Sequence, residues 1–270
     1  CLSSSFFTNK LQLVSVVGDD FLDSAIQILK NKSVDTSGLQ IKKGEKTFFW
    51  SGKYHNNMNT RDTIETQLNV LESFDPIVPE EFKETEFLML GNLMPSVQKK
   101  VLSQMTKKPK LIVLDTMNFW MDHFMEDLKE ALLEVDVLTI NDEEARQLSE
   151  EYSLVKAAKK ILKMGPKYII IKKGEHGALL FGGEEVFFAP ALPIEDVFDP
   201  TGAGDSFAGG FIGYLAKTKN ISFENMKKAV VNGSVMASFC VEKFGTQKLT
   251  EITQEDIDKR TQEFIKLVDY

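Results

Sequence analysis

Short apolar runs alternate with longer amphipathic stretches through most of the chain. The runs lie at residues 87–90, 111–114, 137–140 and 168–171. Unbroken runs of this length are typical of strands that are buried on both faces. The stretches between them have apolar residues at helical spacing, near 96–105, 122–135 and 154–164. Strands separated by helices of about 10–15 residues predict βαβ units and a mostly parallel sheet.

The flanking parts of the chain extend the same pattern. Residues 11–17 form an apolar run that ends at Gly18-Asp19-Asp20, which predicts a strand and a turn, and residues 21–30 have helical spacing. Towards the end, an apolar helical pattern begins near residue 205 and two more helices are predicted over 223–241 and 254–268. We therefore expect one α/β domain over residues 1–270.

One segment, approximately residues 46–70, departs from this alternation. Residues 47–54 are aromatic and β-prone, and residues 63–70 alternate between apolar and polar side chains. This pattern predicts a small antiparallel addition to the domain rather than another βαβ unit. An ordinary edge sheet fits the pattern as well as a functional element does.

Composition narrows the function classes. The chain has 270 residues, with 43% hydrophobic and 27% charged residues, as expected of a globular domain. Its net charge of −8 argues against a general binder of nucleic acid or of an anionic membrane. There is no run of 18 apolar residues, and the two cysteines, Cys1 and Cys240, lack metal or disulfide spacing. We expect a cytoplasmic protein without a membrane span.

The segment Asp199-Pro-Thr-Gly-Ala-Gly-Asp-Ser-Phe-Ala208 is the strongest candidate for chemistry. Gly202 and Gly204 leave backbone amides open at a predicted helix N-terminus, which favours an anion. Asp205 follows in the first turn, where a carboxylate could accept a proton from an attacking hydroxyl. A simple turn is the alternative. A dinucleotide fingerprint is disfavoured because the preceding residues 192–200 contain two prolines and three acids.

Two further motifs follow predicted strands. Asn141-Asp-Glu-Glu144 opens a helix, where Asn and Glu could be capping residues alone. However, ligands of open α/β sheets bind at the carboxyl ends of parallel strands. The turn from Lys172 to Gly177 has the glycines and charges of a hairpin turn, or of a phosphate-binding turn. His176 in this turn is expected to be a solvated residue.

The segment 199–210 resembles the C-terminal signature of the ribokinase (PfkB) family of sugar and nucleoside kinases. This resemblance implies a three-layer ribokinase-like α/β fold whose central sheet is flanked by helices, with a small β lid near residues 46–70 that often mediates homodimers. It implies that Asp205 is the catalytic base and that the amides of Gly202, Ala203 and Gly204 form an anion hole. ATP and Mg²⁺ are the implied cofactors, with Glu144 holding hydrated Mg²⁺.

The resemblance also implies the roles of less specific positions. Those assigned to the nucleotide are Asn141, Lys173, Gly174, Gly177, Thr201, Asn232 and Gly245, with Lys172 beside them. Asp199, together with the loop at 244–247, implies a monovalent cation site for K⁺. On the acceptor side, Asn92, Asp115 and Asn118 follow strands whose ends should face the cleft; strand-end turn chemistry is the alternative reading.

The family normally opens with a strand that has a substrate-binding Asp and with a Gly-Gly turn. Neither is visible after Cys1, so we expect that some tens of residues precede this sequence. The resemblance implies an ATP-dependent kinase that phosphorylates a hydroxyl, in particular a CH₂OH group, of a small-molecule sugar or nucleoside. A sugar-phosphate kinase and a non-catalytic nucleotide-binding or sugar-binding protein are the alternatives.

Overall fold

A computed structural model describes residues 1–269. It contains ten strands: β1 Leu11–Gly18, β2 Val34–Lys42, β3 Phe49–Tyr54, β4 Arg61–Gln67, β5 Phe87–Leu90, β6 Leu111–Asp115, β7 Val137–Asn141, β8 Tyr168–Lys172, β9 Ala178–Gly182 and β10 Glu185–Ala189. The described α-helices are α1 Asp23–Asn31, α2 Pro95–Ser103, α3 Asn118–His123, α4 Met125–Leu132, α5 Asp142–Ser149, α6 Leu154–Leu162, α7 Ala203–Thr218, α8 Phe223–Cys240, α9 Gln247–Glu251 and α10 Gln254–Lys266.

The main sheet has six strands in the order β10-β9-β8-β7-β6-β5. Strands β5 to β8 are parallel to one another, whereas β9 pairs antiparallel with β8 and β10 pairs antiparallel with β9. This arrangement confirms the predicted α/β fold with a mostly parallel sheet. The sequence pattern had not predicted β9 and β10 as strands, and it predicted one helix over 122–135 where the structure has α3 and α4, separated at Phe124.

Helices cover both faces of the sheet and so create two apolar cores. On one face, alternate strand residues such as Ile112, Leu138 and Ile169 pack against α4, α5 and α6. On the other, Val113, Val137 and other strand residues pack against α7 and α8. Because successive strand side chains point to opposite faces, an unbroken apolar run supplies both cores at once. The result is the predicted three-layer order of helix, sheet and helix.

Helices α7 and α8 pack unusually close to each other because glycines lie at their contact. A Cβ atom on Gly210 would lie 2.9 Å from the carbonyl oxygen of Asn232, and one on Gly233 would lie 2.8 Å from that of Phe207. This close approach fixes the position of α7 against α8. The small residues near Asn232 therefore have a packing role, whether or not they also line a nucleotide site.

Two small two-stranded sheets lie apart from the main sheet. Strands β1 and β2 are parallel, and β3 and β4 form an antiparallel hairpin over much of the segment predicted to do so. The hairpin buries little of its own surface, since every residue of β4 is exposed. Across the described chain, no helix has the length and hydropathy needed to cross a bilayer.

Candidate active site

Polar side chains from three neighbouring strands meet at the carboxyl edge of the parallel sheet. Asp115 ends β6, Asn141 ends β7 and Lys172 ends β8. The Oδ1 atom of Asp115 accepts hydrogen bonds from Thr139 Oγ1 at 2.8 Å and from Lys172 Nζ at 3.0 Å. The side chains of Asp115 and Lys172 are only 8% and 17% exposed. A largely buried ion pair therefore spans the sheet edge where a ligand is expected.

The N-terminus of α7 lies beside this pair. Gly202 precedes the helix with φ = +81°, a left-handed conformation that favours glycine. The amide of Thr201 donates to Asp199 Oδ1 at 2.9 Å, and the amide of Ala203 donates to the carbonyl of Pro200 at 3.1 Å. Within the described chain the amides of Gly202 and Gly204 have no acceptor. Two of the three predicted anion-hole amides are thus open, and the third is engaged in the turn.

Asp205 lies in the first turn of α7, where its side chain is exposed to the cleft. Although it remains open to solvent, the surrounding protein desolvates the carboxyl and raises its pKa. The charge of Asp115 raises this pKa further, while the ammonium of Lys172 lowers it. The carboxyl is thereby a better proton acceptor than an ordinary aspartate.

Asn141 and Glu144 form a reciprocal capping box at the start of α5. Asn141 Oδ1 accepts from the amide of Glu144, and Glu144 Oε2 accepts from the amide of Asn141, both at 2.7 Å. Burial raises the pKa of Glu144 to about 7, against the lowering effects of Lys172 and the Asn141 amide. Asn141 and Glu144 therefore do cap α5, which was the structural alternative for this motif. The cap uses only one carboxylate oxygen of Glu144 and leaves the other outside it.

The chemistry around Glu144 fits Mg²⁺. This ion prefers one or two carboxylates together with water and phosphate oxygens, rather than a cage of protein ligands. No cluster of three or more His, Cys, Asp or Glu side chains able to hold a metal occurs in residues 1–269. A single buried carboxylate beside a sheet edge is thus the arrangement expected for a metal that arrives with a nucleotide.

The turn after β8 has a backbone reason for its glycines. Gly174 and Gly177 have φ of +54° and +79°, and a Cβ on Gly177 would lie 2.1 Å from the carbonyl oxygen of Ala189. The amide of Lys173 donates to the carbonyl oxygen of Gly177 at 2.8 Å, and this hydrogen bond closes the turn. His176 is exposed, as expected of a solvated turn residue. The turn places Lys173 and both glycines beside the end of β8.

Other residues predicted for the nucleotide and cation sites lie near the end of α8. Asp199 is buried, and its amide donates to the carbonyl of Val241 at 3.2 Å, which joins the signature segment to the loop containing Gly245. Asn232 lies within α8 and donates to the carbonyl of Lys228 at 2.8 Å. The structure brings Asp199 close to this loop, whereas the one hydrogen bond of Asn232 stays inside its own helix.

The residues predicted to contact the acceptor are partly engaged with protein. Asn92 Oδ1 accepts from Trp120 Nε1 at 2.8 Å, and Asn118 Nδ2 donates to Gln147 Oε1. Both are half-buried, so their remaining amide atoms are available to a ligand. Asp115 is different, because it is buried and its Oδ1 atom accepts hydrogen bonds from both Thr139 and Lys172.

The β3–β4 hairpin reaches the same cleft. Thr201 Oγ1 donates to the Tyr54 hydroxyl at 3.2 Å, and Asn59 Nδ2 donates to Glu175 Oε1 at 3.0 Å. The charge of Arg61 is close enough to lower the pKa of Glu144. The tip therefore contacts both the signature segment and the turn after β8.

Comparisons with known proteins identify the relatives of this chain and its fold. A cytidine kinase of Thermococcus kodakarensis is 32% identical over 209 residues, which cover 75% of this chain and 73% of that protein. The nucleoside kinase of Methanocaldococcus jannaschii superposes with a TM-score of 0.76 at 22% identity, over 97% of this chain and 84% of that one. An E. coli protein assigned as ribokinase II, solved with ATP and Mg²⁺, superposes with a TM-score of 0.76 at 21% identity, over 97% of this chain and 86% of that one.

The sequence profile of the pfkB family of carbohydrate kinases matches residues 4–253, which is nearly the whole chain. The match includes the motif that follows β7, the turn that follows β8 and the signature segment at the start of α7. It also agrees with the ribokinase-type fold of the solved relatives. The chain therefore belongs to the pfkB family of carbohydrate kinases, enzymes that transfer a phosphoryl group to an alcohol.

Proposed function

We propose that this chain transfers the γ-phosphoryl group of ATP to a CH₂OH group of a nucleoside or sugar, with Asp205 as the base. The acceptor oxygen loses its proton to the Asp205 carboxylate and forms a bond to the γ-phosphorus. The bond between that phosphorus and the bridging oxygen breaks, and ADP leaves with the electron pair. The open amides of Gly202 and Gly204 would hold the non-bridging oxygens, and the Ala203 amide would join them after releasing the Pro200 carbonyl.

The observation that supports this proposal best is the position of Asp205 directly beside open amides at the start of a 16-residue helix. The helix dipole and the amides favour a phosphate there, and the raised pKa of Asp205 favours proton uptake. An aspartate in the first turn of a helix can also be favoured by the helix dipole alone, so it is the combination of Asp205 with the open amides of Gly202 and Gly204 that supports a catalytic role. The same arrangement argues against a non-catalytic binding protein.

Glu144 would hold Mg²⁺ through water, using the carboxylate oxygen outside the capping box. The ion, when bound, neutralises charge on the donor phosphates. Asn141 and the turn with Lys173, Gly174 and Gly177 would flank the nucleotide, together with Thr201, Asn232 and Gly245. A K⁺ site at Asp199 stays a prediction, which a comparison of turnover in KCl and in NaCl would test.

A nucleoside is the first acceptor to test, and cytidine in particular, because the cytidine kinase is similar over most of both chains. Ribose is the second candidate, since a ribokinase of Lactococcus lactis is 29% identical over 68% of this chain and 58% of that protein. The β3–β4 hairpin would act as a lid over either acceptor. Its exposed Phe49 and Ile64 support the predicted homodimer through the lid, which sedimentation of wild type and Ile64→Glu would test.

The experiment is a measurement of ADP release from Mg·ATP across nucleosides, pentoses, hexoses and sugar phosphates. We expect cytidine or another nucleoside to raise ADP release far above the acceptor-free rate, with one phosphorylated product by mass spectrometry. Stimulation by a sugar phosphate alone would replace the proposed acceptor class. A protein that binds Mg·ATP but releases no ADP with any acceptor would contradict the proposal.

A further inference from the structure

Two asparagines at the sheet edge offer hydrogen-bonding groups whose polarity is set by their neighbours. Asn92 follows β5, and Asn118 is the first residue of α3 after β6. An asparagine amide can turn either its oxygen or its nitrogen towards a ligand, so the partner on its other side decides which atom is offered. Each of these two amides has such a partner.

Trp120 sets the polarity of Asn92. Its indole Nε1 donates to Asn92 Oδ1 at 2.8 Å. Because an indole nitrogen only donates, the atom of Asn92 that faces it must be the oxygen. Trp120 is 3% exposed and its ring packs against those of Phe119 and Phe124, so this donor is held in place. Asn92 therefore offers the N–H groups of Nδ2.

A relay of three side chains sets the polarity of Asn118. Asp122 Oδ1 accepts from Gln147 Nε2 at 2.7 Å, and Gln147 Oε1 accepts from Asn118 Nδ2. A carboxylate only accepts, so Gln147 must turn its nitrogen to Asp122 and its oxygen to Asn118. Asn118 must then face Gln147 with its nitrogen. It therefore offers Oδ1, an acceptor.

The two offered atoms are accessible and held side by side. Within residues 1–269, neither Asn92 Nδ2 nor Asn118 Oδ1 has a partner in the protein, and neither is a buried atom. The buried Gln98 donates from Nε2 to the carbonyls of Gly91 at 2.7 Å and Asp115 at 3.1 Å. This link joins the ends of β5 and β6, which are neighbouring strands. The sheet edge thus presents one donor beside one acceptor.

We propose that Trp120, Gln147 and Asp122 are positioning residues that set the preference of this kinase between pyrimidine nucleosides. A hydroxyl can donate or accept, so a sugar alone does not distinguish the two polarities. A base does, because cytosine has a donor at N4 where uracil has an acceptor at O4. This inference rests on the proposed function, since it takes the acceptor to be a nucleoside. Cytidine is the expected preference, as in the similar cytidine kinase.

The two asparagines are placed to contact the base rather than the reacting hydroxyl. The end of β6 lies close to Asp205, because the charge of Asp115 raises the pKa of the Asp205 carboxyl. Strand β5 is the next strand outward from β6. A nucleoside with its CH₂OH group at Asp205 would therefore extend its base towards Asn92 and Asn118.

Asp122→Lys tests the relay without changing either asparagine. The new ammonium only donates, so Gln147 would turn its oxygen to it and its nitrogen to Asn118. Asn118 would then offer Nδ2 in place of Oδ1. We expect the ratio of kcat/KM for cytidine to that for uridine to fall about 10-fold or more, the usual effect of one mismatched hydrogen bond.

Adding Gln147→Glu to Asp122→Lys should restore the original polarity. The new carboxylate accepts both from the new ammonium and from Asn118 Nδ2, so Asn118 again offers Oδ1. The ratio should return towards the wild-type value. This recovery distinguishes the relay from damage caused by Asp122→Lys alone.

Trp120→Phe tests the other asparagine independently. It removes the indole donor and keeps an aromatic ring between Phe119 and Phe124. The amide of Asn92 can then turn its oxygen to the ligand, so uridine should gain relative to cytidine. The ratio should fall in this variant as well.

A matched control for Asp122→Lys occurs on α10. Gln254 Nε2 donates to Asp258 Oδ1 at 2.9 Å, a glutamine–aspartate pair of the same kind. Asp258→Lys reverses this pair away from the strand ends and should keep the wild-type ratio. The competing explanation is that the relay only joins α3 to α5. Its loss would then lower the melting temperature and slow both nucleosides alike, without changing the ratio.

The test is ADP release with cytidine and with uridine for each protein, beside a thermal melt. A ratio that falls in Asp122→Lys and recovers with Gln147→Glu supports the inference. An unchanged ratio in an Asp122→Lys protein that melts near wild type overturns it and leaves the kinase proposal intact. If Asp122→Lys melts far below wild type, an unchanged ratio in Trp120→Phe overturns it in the same way.

The wild-type protein separates this inference from the proposed function. Equal kcat/KM for cytidine and uridine overturns the inference alone, and so does ADP release with ribose but with no nucleoside. A wild-type protein that binds Mg·ATP and releases no ADP with any acceptor overturns the proposed function, and this inference with it.

Discussion

The hydroxyl of Thr201 donates to the hydroxyl of Tyr54 at 3.2 Å, and this contact joins the β3–β4 hairpin to the signature segment before α7. On the other side of the cleft, Asn59 of the hairpin tip donates to Glu175. Every residue of β4 is exposed and no residue of β3 is fully buried, so little buried surface holds the hairpin there. These two side-chain hydrogen bonds, each worth about 1 kcal/mol, are therefore important for closure.

Loosening the β3–β4 hairpin should weaken acceptor binding and admit water to the phosphoryl group. Tyr54→Phe with Asn59→Ala removes both contacts without touching Asp205 or its amides. Because a closed lid excludes water from the phosphoryl group, we expect a higher KM for the acceptor and several-fold more acceptor-independent ADP release. Thr63→Val, which removes only the hydrogen bond from Trp50 within the hairpin, is the control. Equal ADP release in all three proteins would contradict a lid role.

Asp205→Asn tests the base directly. Asparagine keeps the shape and the helix but cannot accept the proton, so kcat should fall about 10²–10⁴-fold, the usual contribution of a general base. Calorimetric affinity for Mg·ATP should change little. Asp23→Asn, another aspartate in the first turn of a helix, should leave both quantities unchanged. Turnover near the wild-type rate in Asp205→Asn would assign the proton acceptor to another group.

The sequence predicted the parallel strands because each is apolar on both faces, and it predicted the site where polar residues follow those strands. The prediction failed where a feature depends on residues that are far apart in the sequence. Strands β9 and β10 are short hairpin partners, and the breaking of the predicted 122–135 helix at Phe124 leaves no mark such as proline or glycine. The pairing of Lys172 with Asp115 depends on β6 and β8 flanking β7, a relationship that no local pattern contains.

Gly202→Ala, compared with Gly44→Ala, separates the strain of placing alanine at a positive φ from an effect on catalysis. Gly202 and Gly44 have φ of +81° and +76°, and neither has a neighbour that a Cβ would crowd. Alanine should therefore destabilise the protein by a similar amount at either position, about 1–2 kcal/mol. Only Gly202→Ala should also lower kcat, because only that strain moves the anion-hole amides. Thermal melts and turnover at saturating ATP measure the two effects, and equal kcat in both variants would count against the anion hole.

Glu144→Gln tests the Mg²⁺ assignment without breaking the helix cap. Glutamine can still accept the Asn141 amide at this capping position, so α5 should remain intact. The lost charge should raise the Mg²⁺ concentration needed for half-maximal turnover. Asp256→Asn makes the same kind of change in the capping box of α10, far from the strand ends, and should have no such effect. An unchanged Mg²⁺ requirement in Glu144→Gln would remove Glu144 from the metal site.

The pH dependence of turnover should report the charges around Asp205. Asp205 must be ionised to accept a proton, so kcat rises as the pH passes its pKa, which desolvation and Asp115 raise above the ordinary 3.8. The ammonium of Lys172 opposes this shift, and its removal should raise the pKa further. In Lys172→Met the acid limb of the kcat profile should therefore move to higher pH. Lys167→Met, which removes the lysine that pairs with Asp136 just before β8, should keep the wild-type limb. A limb that moves to lower pH in Lys172→Met would show that Lys172 does not stabilise the Asp205 carboxylate.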